Sequence, residues 1–245
     1  MLRLSSMALT IGTAGWSIPR AQAARFPDEG SSLERYASLF DGVEVNSSFH
    51  RPHRTATWAR WATSVPERFR FAVKLPKTIT HQAKLIDVDQ FIAQFALEVA
   101  GLGAKLAVLL VQLPPKLAFD PSLAERFFAS LRRSFDAAIA CEPRHASWFD
   151  SEADATLERL EIARVAADPA LCEAAAVPGG WRGLSYWRLH GSPAIYRSSY
   201  SNDVLAAYAR RLAEARCAGS DTWCMFDNTA SSAALGNAVA LMEVV

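Results

Sequence analysis

Three pairs of polar residues in this chain sit two positions apart, each at the end of an apolar run: Glu44 and Asn46, Glu142 and Arg144, and Arg188 and His190. On an extended backbone residues i and i+2 face the same side, so each pair presents its side chains together. Lys74 ends another such run, Gln112 nearly ends one, and Asp168 closes one more. Glu44, Glu142 and Asp168 are roughly matched by Lys74, Arg144 and Arg188. That mixture suits proton transfer on a bound, partly anionic substrate. In such chemistry a carboxylate, with Glu142 preferred, is the base, helped or opposed by Arg144. His190 is the partner acid, because imidazole titrates near neutrality. Arg188 and Lys74 hold the anionic group or stabilise developing negative charge. Lys74 is alternatively a Schiff-base nucleophile, if burial and neighbours depress its pKa. A divalent-metal site calls for a surplus of carboxylate and imidazole without cations crowding in. His190 alone makes a thin ligand set, so no cofactor is expected and a divalent metal stays an open alternative. The plain alternative to a reactive site is a satisfied salt-bridge lattice plugging the strand ends. Burying so many ionisable groups, however, is seldom worth more to stability than apolar packing.

These side chains act together only if the runs that carry them converge. Eight runs read as strands: Ala8–Ala14, Gly42–Ser47, Phe69–Lys74, Lys105–Leu113, Ala138–Arg144, Ala163–Asp168, Leu184–His190 and Trp223–Asp227. Val43, Val45, Cys141, Trp187 and Leu189 alternate with the polar residues and suit packing against helices. Helix starts separate the strands. Ser31 with Glu34 is a capping box, Asp120 before Pro121 is an N-cap with proline at the first position, and Asp150–Asp154 and Ser201–Asp203 are starts of the same kind. Ala230–Leu241 reads as a closing helix. Alternating strand and helix over 245 residues predicts a single-domain α/β fold, a (β/α)8 TIM barrel spanning residues 1–245, with the polar strand ends gathered at its C-terminal mouth. A doubly wound open sheet is the rival, but it would concentrate its chemistry at one switch point.

The loops add candidates for ligand contact. Ser47–Arg54 and Leu75–His81 are basic and adjacent in a barrel, with His81 following hydroxyl residues. Trp16, Phe49, Trp148 and Tyr196 lie just past strand ends, where they could stack a flat or sugar-like ligand. No Walker A sequence, Gly-x-Ser-x-Gly elbow or His-Glu-x-x-His is present, which removes those common chemistries. The net charge of +1, from 26 basic and 25 acidic residues, supplies no field for nucleic acid or anionic membrane. Cys141, Cys172, Cys217 and Cys224 show no Cys-x-x-Cys spacing, so reduced thiols in a cytoplasmic protein are expected. No run approaches the ~20 apolar residues of a membrane span.

The motifs Ile11–Ser17, Val43–Phe49, Phe71–Lys74, Thr80–His81, Val111–Pro115, Glu142–Trp148, Arg188–Gly191 and Phe226–Asn228 together resemble the YecE-like family of uncharacterised proteins, domain of unknown function 72. The resemblance runs in order over nearly the whole chain and implies a TIM barrel with these motifs, Asn228 among them, around one mouth. It implies no reaction. Three residues depart from the family pattern: Pro143 stands where phenylalanine is usual, Asp227 where asparagine is frequent, and His50 where tyrosine is common. The leading expectation is an enzyme acting by general acid–base chemistry on a small anionic or sugar-like ligand. A non-catalytic barrel that binds an anionic metabolite, and a metal-assisted phosphoester hydrolase, are the alternatives. The oligomeric state is left open.

Overall fold

The computed structural model describes residues 8–245. The apolar runs form strands β1 (Leu9–Thr13), β2 (Gly42–Val45), β3 (Arg70–Lys74), β4 (Leu106–Gln112), β5 (Ala138–Glu142), β6 (Ile162–Arg164), β7 (Ala166–Asp168), β8 (Gly179–Gly180), β9 (Leu184–Leu189) and β10 (Asp221–Phe226). Helices α1 (Ser32–Ala37), α2 (Ser47–His50), α3 (Thr55–Thr63), α4 (Asp89–Val99), α5 (Pro121–Ser134), α6 (Ser151–Arg159), α7 (Asn202–Cys217) and α8 (Ala233–Met242) connect or follow them. The caps are those expected. Ser31 and Glu34 close a capping box on α1, Asp120 accepts from the Leu123 N–H ahead of Pro121, and Asp150 and Ser201 cap α6 and α7. The closing helix begins at Ala233 instead of Ala230, after Ser232 in a left-handed conformation. No helix among the described residues is long and apolar enough to cross a membrane.

The fold is α/β, with parallel pairing everywhere except at the short β8. Its strands form two sheets, ordered β1-β10-β9-β7 and β2-β3-β4-β5-β6-β8. The expected sixth strand is divided at Val165. Its first half, β6, pairs with β5, and its second half, β7, pairs with β9. At the other junction β1 and β2 share one bridge, Ala14 to Glu44, and a 2.8 Å hydrogen bond from the Gly15 N–H to the Glu44 carbonyl.

Close approach explains that second junction. A Cβ on Gly12 would fall on the Gly42 carbonyl, and a Cβ on Gly42 would fall on the Thr10 methyl. Tyr36 of α1 supplies the missing hydrogen bonds from the side. Its buried hydroxyl accepts from the Thr13 N–H (3.0 Å) and the Thr13 hydroxyl (3.1 Å), and donates to the Gly42 carbonyl (3.2 Å).

Strict alternation along the strands divides the apolar residues into two cores. Val43, Val45, Val73, Val111, Cys141, Trp187, Leu189 and Phe226 pack with helical residues such as Tyr36, Phe128 and Leu212. Ala72, Leu110, Ala140, Val165, Tyr186 and Met225 belong to a separate, inner core. Two residues beyond Ala72, Leu110, Ala140, Tyr186 and Met225 come Lys74, Gln112, Glu142, Arg188 and Asp227. The pleat therefore carries the inner surface from an apolar layer to a charged one.

Tyr36→Phe removes the partner of a buried N–H and a buried carbonyl at the β1–β2 junction. The expected loss is about 2–3 kcal/mol of unfolding free energy in urea titrations. A loss within error of zero would show that the junction does not depend on this hydroxyl.

Candidate active site

Arg188, 1% exposed, stands at the centre of the charged layer. Its guanidinium binds Glu44 through two bonds (Nε to Oε2, 3.0 Å; Nη2 to Oε1, 2.6 Å), Glu142 through Nη1 (2.6 Å) and Asp227 through Nη2 (2.9 Å). Tyr186, one step deeper on β9, donates its hydroxyl to Glu44 Oε2 (2.8 Å). Glu142 Oε1 also accepts from Arg144 Nη2 (2.5 Å) and lies 2.9 Å from His190 Nε2. His190 Nδ1 lies 3.0 Å from Asp227 Oδ2.

Burial alone would raise the Glu142 carboxyl, but the charges of Arg188, Arg144 and His190 outweigh it and hold the group well below the usual carboxylate range. Asp227 is lowered in the same way, burial being overcome by Arg188 and His190. Both carboxylates are therefore ionised at neutral pH, and both oxygens of Glu142 are occupied, which makes Glu142 a poor base. These contacts count against Glu142, the expected base, in that role. His190 fits two protonation states. As imidazolium it donates to both carboxylates. As a neutral ring protonated at Nδ1 it donates to Asp227 and accepts at Nε2 from Arg144 Nη2, which lies 3.0 Å away.

Lys74 differs from these neighbours. Burial pulls its pKa down to about 8, with Arg188 adding to the effect and Glu44, Glu142 and Asp227 opposing it. A cation with a depressed pKa is favoured neutral by folding, so its contribution to stability grows as pH rises from about 8. The ammonium stands 4.2 Å over the Phe49 ring, and among the described residues none accepts a hydrogen bond from it. The layer opens to solvent on one side, where the side chains of Arg144 and Asp227 are 24% and 13% exposed.

The structure brings Glu44, Lys74, Glu142, Arg144, Arg188 and His190 into this one layer. Asn46 follows Glu44 and leaves its Oδ1 buried without a partner, as Arg144 does its Nε. Gln112 pairs in register with Glu142 and is half-buried. His81 bonds the Thr80 hydroxyl through Nδ1 (2.9 Å) and meets the Phe49 ring edge-on at 4.9 Å; burial and the Lys74 charge draw its pKa down. Trp16 is half-buried against Trp61 at 5.0 Å. Pro143 falls just past the end of β5, where no ladder donor is required. His50 is exposed and perpendicular to Phe49.

Three expected site residues lie elsewhere. Asp168 is three positions past the inward Val165, so its parity turns it outward, and its Oδ2 accepts from the Tyr200 hydroxyl at 2.6 Å. Asn228, one past Asp227, donates to the Ser198 carbonyl and to Asn237 Oδ1, both at 2.9 Å, as a strut under the loop after β9. Trp148 is buried, with its indole N–H on the Leu117 carbonyl (3.0 Å) and its ring against Phe119, which leaves no face for a ligand. Conversely, Asp227 is a full member of the network, and its alternation with Phe226 and Met225 would have placed it there. Tyr186 was likewise readable from its parity with Arg188. Tyr196, 42% exposed, with φ 66° and its ring edge-on to His190 at 5.6 Å, roofs the network.

Among the described residues no group of three or more His, Cys, Asp or Glu is arranged to hold a metal ion; the clustered carboxylates face guanidinium groups instead. A cleft of about 430 Å³ lined mainly by apolar residues, including Trp181, Leu184, Trp187 and Ala215, lies toward the opposite end of β9. Its titratable lining residues are Arg182, Arg211 and Glu214, whereas the charged layer joins three carboxylates, two guanidinium groups and an imidazole in one hydrogen-bonded network, and on chemistry that layer is the stronger candidate.

The model of the family described as "Protein of unknown function DUF72" matches residues 10–245. The UPF0759 protein YecE of Escherichia coli K12 is 31% identical over 153 residues, which is 61% of this chain and 53% of that protein. The UPF0759 protein YunF of Bacillus subtilis is 28% identical over 148 residues, 57% of this chain and 51% of that protein. The chain thus spans about half the length of the curated relatives it matches. Crystal structures of DUF72 family proteins superpose on 97% and 96% of it, with TM-scores of 0.82 for that from Enterococcus faecalis (19% identity, 95% of that chain) and 0.77 for that from Thermotoga maritima (22% identity, 98%). A D-allulose 3-epimerase from Methylomonas superposes less closely, with a TM-score of 0.53 at 13% identity over 97% of this chain and 96% of that one.

Arg188→Met leaves Glu44, Glu142 and Asp227 buried without their shared counter-charge. The expected cost is about 3–5 kcal/mol in denaturant unfolding, and Arg188→Lys, lacking the planar fork, restores only part of it. Full stability of the lysine variant would show that the bidentate geometry is dispensable.

Proposed function

The chain belongs to the DUF72 family of proteins of unknown function, and from the chemistry of its charged layer we propose an enzyme that moves protons on a small anionic or sugar-like substrate by general acid–base catalysis. One observation carries the reading: a buried lysine with no ion-pair partner among the described residues stands beside Glu44 and Glu142, whose carboxylate oxygens are all engaged by other groups. A general base works best with a pKa near the operating pH, and Lys74, at about 8, meets that condition where Glu142 does not. The network around Arg188 acts as a fixed electrostatic floor. Arg144, on the solvent side, takes the anionic group, and Asn46 takes a hydroxyl. His190 supplies or removes the second proton, since either of its protonation states keeps hydrogen-bond partners.

We also read the two sheets as one (β/α)8 ring forming a single domain, because β6 and β7 are consecutive and β1 and β2 touch through Ala14 and Glu44. In such a ring the charged layer lies at the C-terminal mouth, where barrel enzymes work. Four cysteines, none of them in a disulfide, support a cytoplasmic setting. The completeness of the Arg188 network favours one rival, a barrel that binds an anionic metabolite without converting it. Metal-assisted phosphoester hydrolysis draws no support from this mixed set of cations and carboxylates, and nucleic acid and membrane remain poor partners for a chain of net charge +1.

Screening sugar phosphates, sugar acids and hydroxy acids by thermal shift, then following each hit by proton NMR in deuterated water, distinguishes the two. The expected result is conversion or C–H exchange whose rate rises with pH to a plateau above about 8, as Lys74 loses its proton. Lys74→Met should lower kcat by about 10²-fold or more, while Arg144→Gln should raise KM. Tight binding with no chemical change over long incubation would decide for the binding barrel.

A further inference from the structure

Lys74 can do more in this layer than accept a proton. What a primary amine adds is the ability to bond covalently to a carbonyl carbon when it is uncharged. The oxygens that might have neutralised it are directed elsewhere: those of Glu44 to Arg188 and Tyr186, those of Glu142 to Arg188, Arg144 and His190, and Asp227 Oδ2 to Arg188 and His190. Among the described residues its one close partner is the face of Phe49. A ring face favours a cation above it, and an iminium would keep positive charge at that point.

Among the described residues two buried polar atoms past the ends of strands of this sheet stand without partners, Asn46 Oδ1, an acceptor, and Arg144 Nε, a donor. Unpaired groups of this kind are rare in native interiors and each requires an explanation. A ligand with a hydroxyl and an anionic group would complete both. Asn46 lies just past the end of β2, where the backbone turns helical into α2, and Arg144 lies two residues past the end of β5; in the order β2-β3-β4-β5 these strands stand on opposite sides of β3, which ends in Lys74.

Resting on the reading of this layer as a reaction site, we propose that Lys74 condenses with the carbonyl carbon of a hydroxylated aldehyde or ketone bearing an anionic group. The amine lone pair forms the N–C bond as the carbonyl π electrons pass to oxygen. Both amine protons then leave with that oxygen as water when the C=N bond forms, and no oxidant or reductant takes part. One proton from the medium converts the imine to an iminium, which withdraws electrons from the neighbouring carbon and acidifies its C–H bond. Burial supports the first step by keeping part of the amine uncharged near neutral pH.

Incubation of the whole chain with glycolaldehyde, dihydroxyacetone phosphate or pyruvate in the presence of sodium cyanoborohydride, followed by peptide mass spectrometry, tests this. The expected product is a secondary amine at Lys74, heavier by the probe less one oxygen atom. It should form about tenfold or more faster than at Lys77, Lys84, Lys105 or Lys116, in keeping with the larger uncharged fraction of an amine of depressed pKa. The hydroxylated anionic probe should label fastest, and Lys74→Arg, verified as folded by circular dichroism, should lose the adduct while keeping the charge. Labelling spread evenly over the five lysines, or absent from Lys74, overturns the proposal. If a substrate is turned over in a manner that requires Lys74 yet no adduct can be trapped, the imine is refuted and the acid–base reading stands. If no adduct forms and no substrate is turned over, both fail.

Discussion

A single buried guanidinium holds this structure to its arrangement. Arg188 belongs to the four-stranded sheet, as does Asp227 at its edge, whereas Glu44 and Glu142 belong to the six-stranded one. The ion pairs therefore run across the interior between sheets whose strands β1 and β2 meet through one isolated bridge, Ala14 to Glu44. A charge removed from water demands compensation, and here the groups that compensate it come from both sheets. The planar fork matters, because one ammonium could not reach Glu44 twice and Glu142 and Asp227 as well.

Alternation along the strands sets where that guanidinium stands. An apolar layer of Ala72, Leu110, Ala140, Tyr186 and Met225 lies beneath, and it excludes water from one side of the charges. Electrostatic interactions strengthen where water is scarce. This accounts for two opposite effects in adjacent residues, a carboxyl at Glu142 held strongly ionised and an amine at Lys74 biased toward neutrality. Arg144 and Tyr196 stand on the solvent side of these charges.

Much of this arrangement was legible in the sequence. The paired spacing of Glu44 with Asn46, Glu142 with Arg144 and Arg188 with His190 identified the inward face, and the helix caps at Ser31, Asp120, Asp150 and Ser201 were found as expected. Asp168 and Asn228 were misread because each ends a polar-looking run while standing one step out of phase with its inward neighbours. Trp148 was misread for another reason: an aromatic residue past a strand end can fill a loop core as readily as line a rim, and only its contact with Leu117 decides. The division at Val165 and the tie made by Tyr36 depend on which strands exchange hydrogen bonds across long sequence separations, which local pattern does not encode. Asp227, marked in the sequence only as a departure from the frequent asparagine, proved to be a partner of both Arg188 and His190.

The shared guanidinium also constrains how the sequence can drift over generations. Glu44, Glu142 and Asp227 each lean on the same side chain, so an exchange at one alters the balance for the others, and independent changes are penalised until a compensating one arrives. Asparagine at position 227, frequent in the resembling family, is a mild step of this kind, since it keeps an acceptor oxygen while giving up the charge. Freedom to vary is greater at the solvent side, in the loop carrying the exposed Tyr196, whose one ring contact with the network is edge-on to His190.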